Sequence, residues 1–427
     1  MDDILFISDT SDGQNWGCYE TSRQLRNLLL ESVDIQYTVF LNEIRDPIRT
    51  TVPPSLSDVQ YLIGESSKIF ESSSPIYRRF LDHGLRPAKH VFDIYPRVMD
   101  QFENKSELFL KSKLFGKYFP DPGNIDQVVI NGEGSIHGNR IKSRILLFFA
   151  YIWRVKLDKP THIVNHTLQI DTPELKEMIK VIYPQLNSIA FREPISKLEY
   201  HSKIGDTNNT IQAADTAWLL DDCLTKTDLN TILRQGGMSV WHPTEIQPSF
   251  DFTDRYVCVS GGSGFGHGKE DSEKIAEIIR SLLDNNIDAN ILLVAPAQHD
   301  EHILLRVAEG FNLPLAKVSN NSLVGASIIG NSELYLGGRW HGSIFALLNG
   351  ARLVNFKANT FKMRGLKDMT NHPYQIYPSQ QAGNKADEIA KSVISGLDKS
   401  IGDGQEKMIK SLQSMSRKNL DGVREDV

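Results

Sequence analysis

Leu334-Tyr335-Leu336-Gly337-Gly338-Arg339-Trp340-His341-Gly342-Ser343-Ile344-Phe345-Ala346-Leu347-Leu348-Asn349-Gly350 is the most informative stretch of this 427-residue chain. A short apolar run, a glycine pair and a second apolar run ending at Asn-Gly predict a strand, a tight turn and a helix beginning near His341. Parallel sheets with crossover helices are built from such units. The turn also carries chemistry. Glycines let a ligand approach the backbone, and the amides of Gly342 and Ser343 at a helix start suit an anionic oxygen. Arg339 adds a permanent charge on a planar fork, and His341 is the side-chain type that exchanges a proton near neutral pH. Taken alone, the segment is explained as well by an arginine paired with a carboxylate and a histidine capping local backbone.

The same alternation extends in both directions. The first half offers strands at Ile4–Ser8, Gln36–Leu41, Gln127–Asn131, His162–Asn165 and Ser188–Phe191, with a helix over Glu20–Leu30 whose Leu25, Leu28 and Leu29 share a face. A second series runs through strands Tyr256–Ser260, Ile291–Ala295 and Glu333–Leu336, with a helix near Ser272–Leu283. Between Leu220 and Asp254 the periodicity weakens around Gly236-Gly237, His242-Pro243 and Pro248, which marks the junction. The reading is α/β, with two Rossmann-like domains facing a cleft. Residues 1–240 form the N-terminal domain and 250–427 the C-terminal domain, with C-terminal helices able to pack back on the first. The tail from Lys385 reads as helical, ending in a polar, frayed segment Arg417–Val427.

A net charge of −6 disfavours a nucleic-acid partner. Cys18, Cys223 and Cys258 have neither disulfide-framework nor zinc spacing and fit a reducing cytoplasm. No His, Asp or Glu pair has metal-ligand spacing, so no metal is expected. The apolar run Ile145–Trp153 is too short to span a bilayer and predicts a core helix. Its basic flanks Lys142, Arg144, Arg154 and Lys156 also suit peripheral contact at the inner membrane face.

Further segments bear functional side chains. Asn131-Gly132-Glu133-Gly134-Ser135-Ile136-His137-Gly138 follows a strand, and Glu133 and His137 bring acid–base capacity. Arg192 ends a strand just before Pro194, where a helix is expected to start, and so points toward the cleft. Asp215 in Ala213-Ala214-Asp215-Thr216 reads as a cap. The stretch Ser260–Gly268 suits a flexible turn or a ligand-contacting loop and lacks the P-loop lysine.

This ordered set resembles the polysaccharide pyruvyl transferase family: Asn15-Trp16-Gly17, the 132–138 glycine loop, Phe191-Arg192-Glu193 with Ser196, Ala214-Asp215, Arg339-Trp340-His341-Gly342, and Lys362 before Gly365-Leu366. The resemblance runs from the N-terminus to about residue 370 on pattern reading. It departs at Cys18, where the family often has an acidic residue, and at Ser260-Gly261-Gly262, where an arginine often follows the strand. The resemblance implies a GT-B-like fold, phosphoenolpyruvate as co-substrate with no cofactor, and a sugar or lipid-linked oligosaccharide acceptor. It assigns His341 as the general acid, and Arg192, Arg339, Gly342, Ser343 and Lys362 to the donor. The acceptor side falls to Asn15, Glu133 and His137. A nucleotide-sugar glycosyltransferase of the same fold and a noncatalytic sugar-binding derivative are the alternatives.

Overall fold

Two separate sheets organise the chain in a computed structural model that describes residues 3–45, 94–241, 250–266, 268–317, 321–397 and 404–425. The first holds β1 (Asp3–Asp9), β2 (Asp34–Phe40), β3 (Gln127–His137), β4 (Thr161–Gln169), β5 (Ser188–Phe191) and β6 (Thr210–Gln212) in the order 2-1-3-4-5-6, all parallel. The second holds β7 (Val240–Trp241), β8 (Tyr256–Gly262), β9 (Asn290–Val294), β10 (Leu315–Ala316), β11 (Leu334–Gly338), β12 (Arg352–Phe356) and β13 (Ile376–Tyr377) in the order 13-12-11-8-9-10-7. Its edge strand β7 runs antiparallel to β10. Strand order therefore reverses between β1 and β3 in one sheet and between β8 and β11 in the other. Loops leaving those strand pairs splay apart and open a crevice, which is where open α/β sheets bind ligands.

The apolar runs become central strands because both faces are covered: Ile4, Leu5, Phe6 and Ile7 are fully buried, as are Val128, Val129 and Ile130. The helix Trp16–Leu30 starts four residues before the expected Glu20, because the Asn15 side chain accepts hydrogen bonds from the Gly17 and Cys18 amides and caps it. The segment Ile145–Trp153 lies in the helix Ile141–Tyr151 and the turn of π-helix that follows. It is buried on every side against the aromatic rings of Phe102, Phe109, Phe115 and Phe119. Its flanking cations bind within the protein: Arg144 donates to the Tyr95 carbonyl, Arg154 pairs with Asp158, and Lys156 pairs with Glu103. No helix among the described residues is long and apolar enough to cross a membrane.

Three local expectations are corrected. The glycine segment 132–138 is not a loop: β3 continues to His137 through a bulge, pairing Ile136 with Leu168 and His137 with Gln169. The junction contains a capped helix, Lys226–Arg234, whereas His242-Pro243 and Pro248 lie outside the described residues, as does His267 of the Ser260–Gly268 stretch. The tail does not fray at Arg417: helical structure continues to Glu425 because Leu420 and Val423, one turn apart, are fully buried. There the tail returns to the first sheet, with Asn419 Oδ1 accepting from the Asn165 amide and Gly422 lying against Ser188.

Candidate active site

Both chain reversals deliver functional side chains to the same crevice. After β1 comes the Asn15 cap and the start of the first helix; the last part of β3 carries Glu133 to His137; after β5 comes Arg192; after β11, Arg339 and His341. Ser8, Glu133 and Asn165, on neighbouring strands β1, β3 and β4, have φ of 68°, 41° and 55°. Non-glycine residues rarely adopt this left-handed region, and such conformations concentrate at binding sites.

Asp215 is the node of the site. It caps the turn Thr216–Leu219 by accepting from the Ala217 amide at 2.9 Å, as its sequence suggests. It does much more. Fully buried, it also accepts from Thr21 Oγ1 at 2.6 Å, Arg192 Nη1 at 2.7 Å and Trp340 Nε1 at 2.8 Å, with His341 Nε2 at 3.3 Å. Thr21 and Arg192 belong to the first half of the chain and Trp340 and His341 to the second, so one carboxylate ties the halves together. Burial alone would raise its pKa, but the charges of His341 and Arg192 and the bonds from His341 and Thr21 hold it well below the usual carboxylate range.

His341 sits in the first turn of the helix Trp340–Leu348, one residue inside a start that falls at Trp340. Its ring is wedged in place. A methyl group on Gly17 would lie 2.2 Å from Nδ1, Phe345 stacks on the ring, and only 12% of the side chain is exposed. Gly17 of the Asn-Trp-Gly motif is thus glycine because the first helix presses directly on the imidazole.

The one-residue shift in helix start corrects the assignment of Ser343. Its amide donates to Arg339 O at 3.1 Å, and its hydroxyl is within hydrogen-bond distance of Arg339 O and Asn355 Oδ1, so Ser343 is committed internally and offers no free amide. Helix geometry leaves the amides at Trp340, His341 and Gly342 without intrahelical acceptors. Gly342 also has a packing reason, since a Cβ there would meet the Tyr335 hydroxyl at 2.5 Å.

Arg192 and Arg339 are both held by buried acids. Arg192 is 1% exposed; besides Asp215, its Nε donates to Thr167 Oγ1 at 3.0 Å and its guanidinium lies 5.0 Å from the Trp340 ring centroid. Arg339 grips Asp300 bidentately at 2.8 and 2.9 Å, and Asp300 is fully buried. The carboxylate pairing that sequence alone left open for Arg339 is therefore present, with a partner that no motif marked. Each guanidinium keeps unspent donors: Arg192 Nη2 and Arg339 Nη1 make no hydrogen bond to a described residue.

Lys362 completes a cationic cluster. A Cβ on Gly134 would lie 3.0 Å from Arg192 Nη2 and 3.8 Å from Lys362 Nζ, so the two converge on that glycine. Burial, with the charges of Arg192 and Arg339, pushes the Lys362 ammonium down to about 7. Its Nζ has no hydrogen-bond or ion-pair partner among the described residues. A lysine lowered by neighbouring cations and without a partner among the described residues has the electrostatics to suit an anion.

The three acceptor-side residues separate. Glu133 is buried, takes a hydrogen bond from Thr10 Oγ1 and faces the Cys18 thiol, which burial and this carboxylate push far up. It is no exposed turn carboxylate. His137 is driven down to about 4 by burial and by Arg140 and Lys362, so it is neutral at pH 7, with Nε2 facing Asn359 Nδ2 at 3.4 Å from the second half. Asn15 spends its carbonyl on the cap and lines a separate pocket together with Trp16 and Tyr19. The Ser260–Gly268 stretch is explained by packing: Gly262 meets Gly338 where β8 and β11 pair, and Gly264 lies on the Lys357 carbonyl. Among the described residues no group of three or more His, Cys, Asp or Glu is arranged to hold a metal.

The fold and site define a two-sheet α/β protein in which Arg192, Arg339 and Lys362 gather beside the His341–Asp215 pair. Residues 40–357 match the family described as polysaccharide pyruvyl transferase, more than half of the chain, and the protein belongs to that family of transferases. No curated protein matches the sequence. Among solved structures it is similar to S. aureus MnaA in a co-structure with UDP, at 12% identity and TM-score 0.52 over 99% of this chain and 93% of that one. It is also similar to the Methanocaldococcus jannaschii UDP-GlcNAc 2-epimerase in complex with UDP-GlcNAc and UDP, at 12% and 0.52 over 96% and 99%. The spinosyn rhamnosyltransferase SpnG follows at 11% and 0.50 over 99% and 100%. At this identity the likeness concerns fold alone, which is GT-B-like.

Proposed function

We propose that the protein moves the pyruvyl group of phosphoenolpyruvate onto two hydroxyls of one sugar, giving a cyclic ketal and inorganic phosphate in glycan biosynthesis. The observation that carries this reading is the convergence of Arg192, Arg339 and an unpaired Lys362 beside the His341–Asp215 pair. Phosphoenolpyruvate needs a carboxylate receptor, a phosphate receptor and a proton for its methylene carbon, and those are the three chemistries present. The unspent guanidinium N–H groups, Lys362 and the helix-start amide of Gly342 hold the two anionic groups. His341 protonates C3, leaving an oxocarbenium-like C2. One sugar hydroxyl adds to C2, its proton passing to an oxygen of the phosphate group. The C2–O bond to phosphate then breaks, and the second hydroxyl adds to C2 and closes the ring, its proton passing back toward His341. Glu133 and neutral His137 serve as hydrogen-bond acceptors for the sugar hydroxyls.

The test is phosphate release and mass gain on sugar acceptors with phosphoenolpyruvate. His341→Ala should abolish turnover while phosphoenolpyruvate still binds, and wild-type turnover in that variant refutes the assignment. Thermal stabilisation by UDP-sugars without any by phosphoenolpyruvate would instead place the protein with the nucleotide-sugar enzymes.

A further inference from the structure

Next to the His341 wedge lies a pocket of about 240 Å³ formed by Asp12, Gln14, Asn15, Trp16, Tyr19 and Ser322 among others. Five of these come from the loop after β1 and the first helix; Ser322 comes from the start of the helix Ser322–Gly330 in the second half. Trp16 is 2% exposed and packed so closely on Gly325 that a Cβ there would touch its ring at 2.2 Å, yet its Nε1 is buried without a hydrogen-bond partner. Buried indole N–H groups normally find one. Asn15 spends only its carbonyl on the cap, which leaves its amide N–H groups available. The next residue along the helix, Gly17, touches His341.

The lining resembles neither the cationic cluster nor a greasy core. It offers amides, hydroxyls, a carboxylate and the Tyr19 ring, and no cation. The charge that is present is negative, with Asp9 and Glu43 adding to the field at Asp12. An uncharged, hydroxyl-rich ring satisfies such a surface, whereas a uronate or a phosphosugar would be repelled by it. We propose that this pocket binds a neutral hexopyranose unit of the acceptor glycan, an assignment that rests on the pyruvyl-transfer reading. The unit seated there is one helical residue from the Gly17–His341 contact, and Ser322 makes the pocket complete only when both halves of the chain are in place.

The test uses saturation-transfer NMR of the full chain with methyl β-glucopyranoside, methyl β-galactopyranoside, methyl β-mannopyranoside and methyl β-glucuronide. Each is present at about 20 mM, above the roughly millimolar affinity that a few hydrogen bonds and one ring contact supply. Phosphoenolpyruvate is omitted, so the readout does not depend on donor chemistry. At least one neutral glycoside should give signal and the glucuronide none. Tyr19→Ala should weaken the neutral glycoside at least tenfold, and Asp12→Lys should admit the glucuronide, with thermal melts confirming that both variants fold. Absence of signal from every neutral glycoside, preference for the glucuronide, or unchanged binding in both variants overturns the pocket. Phosphoenolpyruvate binding by calorimetry on the same samples separates the two claims. Sugar binding without donor binding sinks the donor reading and leaves the pocket standing, and donor binding with unchanged sugar binding in Tyr19→Ala does the reverse.

Discussion

On the proposed pyruvyl-transfer reading, Lys362 should make donor binding a proton-coupled event, and the size of that coupling follows from the site. In the free protein burial and the charges of Arg192 and Arg339 bring the ammonium from 10.5 to about 7. That displacement corresponds to roughly 5 kcal/mol of disfavour for the charged form. An anion seated between the three cations screens the repulsion and restores the charge, so a complex in which Lys362 lies above about 9 is expected. At pH 8 the free lysine holds about one-tenth of a proton and the complexed lysine nearly a whole one, for an uptake of about 0.9 proton; at pH 7 it is about 0.5. Titration calorimetry of phosphoenolpyruvate, without acceptor, in buffers of different ionisation enthalpy measures this directly. Because binding takes up a proton, affinity should fall as pH rises from 7 toward 9, by up to about tenfold per pH unit. Lys362→Met should remove this contribution and flatten the pH dependence, which separates it from any proton taken up at His341. Uptake near zero at pH 8, or equal uptake in wild type and Lys362→Met, would refute the placement of the donor among these cations.

The remaining predictions use the same geometry. Lys362→Met should also raise the apo melting temperature near pH 7: the native lysine binds its proton less tightly than the unfolded one, so wild-type stability rises with pH from about 7 to 10.5 and the variant loses that slope. His137 is depressed to about 4 against 6.5 unfolded, so it contributes stability above pH 6.5 that is lost as pH falls toward 4; His137→Gln should reduce that acid loss in pH-dependent denaturant melts. Gly17→Ala drives a Cβ into the His341 ring and should lower turnover at least tenfold while calorimetric phosphoenolpyruvate affinity changes little. Asp215→Asn keeps the shape but removes the charge facing Arg192, and should cost about 3–5 kcal/mol of stability in urea denaturation together with most of the activity.

Sequence reading located the site where the signal is local. Leu334-Tyr335-Leu336 predicts a strand followed closely by a helix, and both are there, but the turn expected at Gly337-Gly338 is not: both glycines pair within the strand and Arg339 alone links it to the helix. The same reading placed the helix start one residue late, which moved the free-amide assignment onto Ser343. Asp300 could not be found, because Gln298-His299-Asp300-Glu301 reads as an ordinary acidic helix start, and its pairing with Arg339 bridges 39 positions. Asp215 was legible only as a cap, since the Ala217 amide two residues on is in view while Thr21 and Trp340 lie more than a hundred residues away. Leu420 and Val423 carried an i,i+3 apolar signal in the tail, but the surrounding Arg, Lys, Asp and Glu masked it.

The two arginines and the lysine divide their work according to how they are held. A buried guanidinium without a carboxylate would be prohibitive, so Asp215 and Asp300 are the condition for Arg192 and Arg339 being in the crevice at all. Pairing does not consume them, because arginine carries five N–H groups: Asp300 takes two from Arg339, and Thr167 and Asp215 take one each from Arg192. What pairing removes is freedom, so the remaining donors are fixed before an anion arrives and no reorganisation is needed when charge moves to the leaving phosphate. Lys362 has no such partner, and its charge is set by whether the anion is bound. Loss of either aspartate should therefore appear in stability and in turnover together, whereas loss of Lys362 should appear in donor affinity and its pH dependence while the fold gains stability.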